Sequence, residues 1–203
     1  MKKILLLALL ALALPTAIFA DSVDYTNSGG TLSGSSAGLT LSGSVLIAVN
    51  GLNGGGLLTG SDLGGVSFTT GALLSGSLQM GGSFAGGGSF TITGNGTNGV
   101  PDGTLFTGSF SGPVTWTMAT LANGTHNYTL TGTISGWNGS GAATQGVTVQ
   151  LTINTGKGLF NGSTRISSGD TSGSVTVPEP GSLTLLGSGL LFLAGLVRRK
   201  LNS

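Results

Sequence analysis

Side chains able to move a proton, ligate a metal or attack a carbonyl are scarce in these 203 residues: one His, His126, one Glu, Glu179, five Asp, and no Cys. A glycosidase wants two facing carboxylates, one with a raised pKa. Only scattered aspartates could supply them, and Asp102 sits in a Pro-Asp-Gly turn. Asp21 and Asp24 could share a calcium ion, but no D-x-D-x-D-G loop exists. Gly34-Ser35-Ser36-Ala37-Gly38 matches the G-x-S-x-G elbow, and Asp62 or Asp102 with His126 follow in hydrolase order. That elbow needs a strand-to-helix turn in an α/β sheet, and so Gly- and Ser-rich a chain produces the pattern by chance. Gly94-x-Gly96-x-x-Gly99 has dinucleotide spacing, yet Val100-Pro101-Asp102-Gly103 follows as a turn, with no helix N-terminus to receive a phosphate. His126, between Thr125 and Asn127, is expected in an exposed loop. No catalytic residue, metal site or cofactor is expected.

Asn-x-Ser/Thr occurs at Asn95, Asn123, Asn127, Asn138 and Asn161. Four of these are Asn-Gly pairs followed by a hydroxyl residue, which is turn chemistry before it is a modification signal. Aromatic side chains offer a different chemistry, flat faces for sugar rings. Trp137, between Gly136 and Asn138 at a turn, and Tyr128 are the candidates for sugar contact. Trp116 shares a strand face with Val114 and Met118, which marks it for the core.

The elements that must carry these residues alternate with period two. Leu39 to Ile47, Ser89 to Thr93, Val114 to Met118, Tyr128 to Ile134 and Val147 to Ile153 interleave apolar with hydroxyl residues, the pattern of half-buried strands. Thr is β-branched, so even the wet face favours the extended chain. Asn-Gly and Asp-Gly pairs accept positive φ cheaply and punctuate the runs. About ten short strands follow, at the 8–12-residue spacing of sandwiches and barrels. The expected fold is all-β: one antiparallel sandwich or barrel-like domain over residues 21–177. Residues 27–38 and 51–66 have few apolar anchors. An outer-membrane barrel is the minor alternative, since it also alternates; the missing aromatic girdles stand against it.

Charge is as sparse as chemistry. Between Asp21 and Val177 stand five aspartates against Lys157 and Arg165, a net of −3. A body so poor in Lys and Arg cannot neutralise a run of phosphates, which excludes nucleic acid as partner. Its surface must be Thr, Ser, Asn and Gly, with little Lys to discourage edge pairing, so self-association is expected. Without Cys, neither disulfides nor thiolate sites brace the fold.

Both extremities differ from this body. Lys2 and Lys3, the apolar run Ile4 to Leu14, Pro15 and a small-residue approach to Ala20 have the order of a secretory signal, residues 1–20. At the other end, Pro180 to Val197 carries no charge over 18 residues, about 27 Å of helix and just long enough to span a membrane. Arg198, Arg199 and Lys200 follow and would hold the C-terminus in the cytoplasm, leaving the body outside the inner membrane. Val177-Pro178-Glu179-Pro180 stands immediately before the span. Its prolines keep Val177 and Glu179 extended and separate strand from helix.

The triplet Pro178-Glu179-Pro180, the span over residues 181–197 and the basic Arg198-Arg199-Lys200 end, together residues 178–203, resemble the PEP-CTERM sorting signal of Gram-negative bacteria. The resemblance implies that an exosortase, an integral-membrane cysteine protease, recognises the triplet, removes the span and passes the body to the envelope or exterior. It also implies association with exopolysaccharide and biofilm. On this basis the chain is expected to be an exported, non-enzymatic surface or matrix protein; the alternative is a carbohydrate-binding or adhesin-like sandwich.

Overall fold

Wherever apolar and hydroxyl residues alternate cleanly, the chain is strand. The computed structural model describes residues 21–52, 55–139, 141 and 143–175, and all regular structure among them is antiparallel β. The strands are β1 (Asp21–Ser28), β2 (Thr31–Ser35), β3 (Gly38–Asn50), β4 (Leu58–Thr69), β5 (Leu73–Ser77), β6 (Gly81–Phe84), β7 (Gly87–Asn95), β8 (Asp102–Phe110), β9 (Val114–Thr120), β10 (His126–Asn138), β11 (Ala143–Asn154), β12 (Ser163–Arg165) and β13 (Ser168–Val175). Thirteen strands replace the expected ten. The additional ones include β2, β6 and β12, short pieces in Gly- and Ser-rich sequence where alternation is too brief to recognise. The expected signal and membrane helices fall outside the described residues.

Eight strands close on themselves in the order β1-β3-β4-β7-β8-β10-β11-β13, and β13 returns to β1. The fold is therefore a barrel rather than a two-sheet sandwich. Two long strands serve different neighbours in their two halves. On one side of β3, residues Gly38–Ser42 pair with β2 and the stretch from Val45 to Asn50 pairs with β1. Similarly, His126–Thr131 of β10 pair with β9, and Ile134–Asn138 with β8. Beyond the closed ring, two arms continue: β2 and β12 from β3, and β9, β6 and β5 from β10. The switch in β3 coincides with a register shift between Leu41 and Ser44, where Gly43 has a φ of 64°. A bulge there turns the strand without straining a side chain.

The ring is filled. Phe68, Phe90, Phe106 and Phe110 are buried, with Phe110 edge-on to both Phe68 and Phe90 at 5.7 and 6.1 Å between centroids. Along β11, Val147, Val149, Leu151 and Ile153 are buried while Thr148, Gln150 and Asn154 are exposed. An outer-membrane barrel shows the inverse, apolar residues outward and polar residues inward. The hydroxyl face turned outward here removes that alternative. Buried polar groups are paired: the Asn27 amide donates to Ser44 Oγ at 2.7 Å, and the Leu39 N–H donates to Thr70 Oγ1 at 2.9 Å.

Where β8 meets β10, Gly108 lies opposite Gly136. A Cβ on Gly136 would stand 2.1 Å from the Thr107 carbonyl oxygen, and one on Gly108 would stand 2.3 Å from that of Ser135. Two bare α-carbons let these strands cross closely and the ring close. Glycine content that resembles low complexity in the sequence is, at this crossing, a packing requirement.

Candidate functional site

Tyr128, expected as a sugar contact, is fully buried. Its ring stacks on Trp116 at 5.0 Å with an interplanar angle of 19°, and Phe160 lies edge-on to Trp116 at 5.5 Å. The Tyr128 hydroxyl donates to the Gln79 carbonyl at 2.7 Å and accepts the Phe160 N–H at 3.0 Å, and Trp116 Nε1 donates to the Leu78 carbonyl at 2.9 Å. This cluster ties the β5–β6 turn and the loop after β11 to the β9–β10 face. It is core, as the alternation around Trp116 indicates, and the alternation of Tyr128 with Leu130 carries the same signal. Phe160 shows no strand period around it, so nothing in the sequence marks it as the third ring.

Trp137 is 56% exposed, as a surface face requires, but it belongs to the end of β10 rather than to a turn. It pairs with Thr107 of β8 and Ala143 of β11, both exposed. The structure therefore separates the two sugar candidates, one on the outer face of the ring and one inside the core. His126 also departs from its expected loop. It opens β10 half-buried, with Nδ1 3.1 Å from Thr120 Oγ1.

The motif hits resolve into turn chemistry. Ser36 and Ala37 form the tight β2–β3 connection, and both flanking elements are strands, so Gly34 to Gly38 is no elbow. After Gly99 the next element is β8, with no helix to receive a phosphate. Asn95 Oδ1 accepts both the N–H and the hydroxyl of Thr97, while its Nδ2 donates to the Asp62 backbone carbonyl and carboxylate. Asn123 Oδ1 likewise accepts from Thr125 N–H and Oγ1. Asn127 Oδ1 accepts from Asn154 Nδ2 at 2.6 Å. These polar groups brace turns and strand ends. Among the described residues, no three of His, Cys, Asp and Glu gather where a metal could sit.

Beside this body, the geometry of most consequence is where its chain enters and leaves. Asp21 pairs with Val175 at the free ends of β1 and β13, so entry and exit are neighbours at one end of the ring. Val177, Pro178, Glu179, Pro180 and the basic Arg198, Arg199 and Lys200 follow the exit and lie outside the described residues. Residues 176–200 match the family model of the PEP-CTERM protein-sorting motif. The PEP-CTERM match covers the triplet, the apolar run and the basic cluster that the sequence singles out. It marks an exported protein with a membrane-anchored precursor and implies processing by an exosortase. No curated protein and no solved structure matches the chain. The PEP-CTERM match begins one residue after β13 ends.

Proposed function

We propose that this chain is an exported passenger whose body does no chemistry of its own. A leader over residues 1–20 takes it across the inner membrane, and residues 181–197 hold the precursor there with Arg198, Arg199 and Lys200 in the cytoplasm. Exosortase cuts at Val177-Pro178-Glu179-Pro180, and the barrel passes to the outer surface or the matrix, in association with exopolysaccharide. The match over residues 176–200 carries this reading. Two observations support it. Asp21 and Val175 are paired, so a body held through either chain end presents the same end of the ring to the membrane. The polar side chains of Asp62 in β4, Asn95 at the end of β7 and Thr97, Asn123 and Thr125 in turns are bonded to one another or to backbone, which suits a carried scaffold.

Self-association would use the open edges of β5 and β12, where the two arms end. The carbohydrate-binding reading keeps one residue, the exposed Trp137. Intact mass of the mature protein from its native cells tests the processing: a chain beginning near Asp21 and ending near the Pro-Glu-Pro triplet is expected. A mass that retains Leu183 to Ser203 overturns it.

A further inference from the structure

The structure assigns Asn161–Gly162, in the loop between β11 and β12, as an asparaginyl bond that the fold, among the described residues, leaves open to spontaneous conversion into aspartate and isoaspartate. The reaction needs only water. The Gly162 backbone nitrogen, giving its proton to solvent base, attacks Asn161 Cγ. A new C–N bond closes a five-membered succinimide, and the Cγ–Nδ2 bond breaks to release ammonia. Water then opens either imide carbonyl, giving aspartate or an isoaspartyl residue whose backbone is longer by one carbon. Nothing is oxidised or reduced. Glycine at the second position admits the required approach because it has no Cβ.

Every Asn-Gly pair offers this chemistry in an unfolded chain; the fold discriminates among those in the described residues. At Asn95 the side chain is held by Asp62 and Thr97, and at Asn98 Nδ2 donates to the Thr59 carbonyl. At Asn123 and Asn138 the attacking nitrogen itself is engaged, since Gly124 N–H donates to the Leu121 carbonyl and Gly139 N–H to that of Leu105. Asn50 ends β3 within its ladder, opposite Asp24. Asn161 lies between strands and is exposed; among the described residues neither its side chain nor the Gly162 nitrogen has a hydrogen-bond partner. Gly162 contributes only its carbonyl, which accepts from Gly34 N–H at 2.8 Å.

Conversion would act on both sides of the bond. Phe160, one residue earlier, packs on Trp116 and Tyr128, and β12, one residue later, pairs with β2. An isoaspartate inserts a carbon between these two fixed points, and either product adds a negative charge to a body that already carries −3. The inference is independent of the sorting reading, because it concerns the folded body wherever that body resides.

The test incubates the full chain, in nonionic detergent and mildly alkaline water enriched in heavy oxygen, followed by peptide mapping with fragmentation that distinguishes isoaspartate. Breaking one hydrogen bond to reach the reactive geometry slows the held sites, so the Asn161 peptide should convert at least about fivefold faster than those containing Asn95, Asn98, Asn123 or Asn138. In denaturant the five rates should converge. Asn161→Gln should abolish the fast fraction. Conversion at Asn161 no faster than at the held sites overturns the inference, and so does a ranking that persists in denaturant, because local sequence would then set it.

Discussion

The Tyr128 hydroxyl stands between two backbone groups from distant parts of the chain, donating to Gln79 at 2.7 Å and accepting from Phe160 N–H at 3.0 Å. One phenol thus joins the β5–β6 turn to the loop after β11. Removing its oxygen leaves the Phe160 N–H buried and unpaired. Tyr128→Phe should cost about 1–3 kcal/mol, seen as a lower urea midpoint at unchanged slope.

Gly136→Ala should destabilise the ring, since its Cβ would meet the Thr107 carbonyl at 2.1 Å and the Gly108 Cα at 2.6 Å. The backbone must move, at a cost of about 1–3 kcal/mol. Gly112→Ala is the control: nothing lies within 4 Å of its Cβ position. Thermal melts of the two variants should separate them, and equal melting temperatures would mean that the close crossing does not constrain closure.

Burial pushes the Tyr25 phenol up to about 12 from an ordinary value of 10.0. Between these values the unfolded chain has lost the proton and the folded chain has kept it, so stability falls as pH rises through this window. A contribution of roughly 2–3 kcal/mol is fully present below pH 10 and lost by pH 12. Denaturant titrations in alkaline buffers should show this loss, and Tyr25→Phe should flatten it.

Trp137 lies on the outer face, so Trp137→Ala should change stability by less than about 0.5 kcal/mol. In the carbohydrate-binding reading the same variant releases the protein from an insoluble polysaccharide that retains the parent. Retention unchanged by the substitution removes the last aromatic candidate for a sugar face.

Much of the ring is legible in the sequence because it is built from clean alternation. The runs at Leu39 to Ile47, Ser89 to Thr93, Val114 to Met118, Tyr128 to Ile134 and Val147 to Ile153 all fall within strands β3, β7, β9, β10 and β11. What alternation cannot supply is which strands pair. The choice between barrel and sandwich rests on β11 meeting β13 and β13 meeting β1, contacts between remote segments that leave no local pattern. Short strands such as β12, at three residues, have no room for a period. The parity of Tyr128 with Leu130 points inward, but the partners of its hydroxyl are remote. A tyrosine is equally at home on a wet face or in a core that accepts its hydroxyl, and its two acceptor and donor partners lie 49 and 32 residues away. Trp137, by contrast, keeps the odd, outward parity of Thr131 and Thr133 along β10, so its exposure follows from the strand period alone.

The seam between β1 and β13 has a mechanical consequence. Its eight rungs run from Asp21↔Val175 to Ser28↔Ser168, and both chain ends emerge at the first rung. Tension applied through the two ends would open this seam like a zip, one rung at a time, instead of loading all rungs together in shear. Severing either flank removes the second grip, and a body gripped by one end alone transmits no pull across the seam.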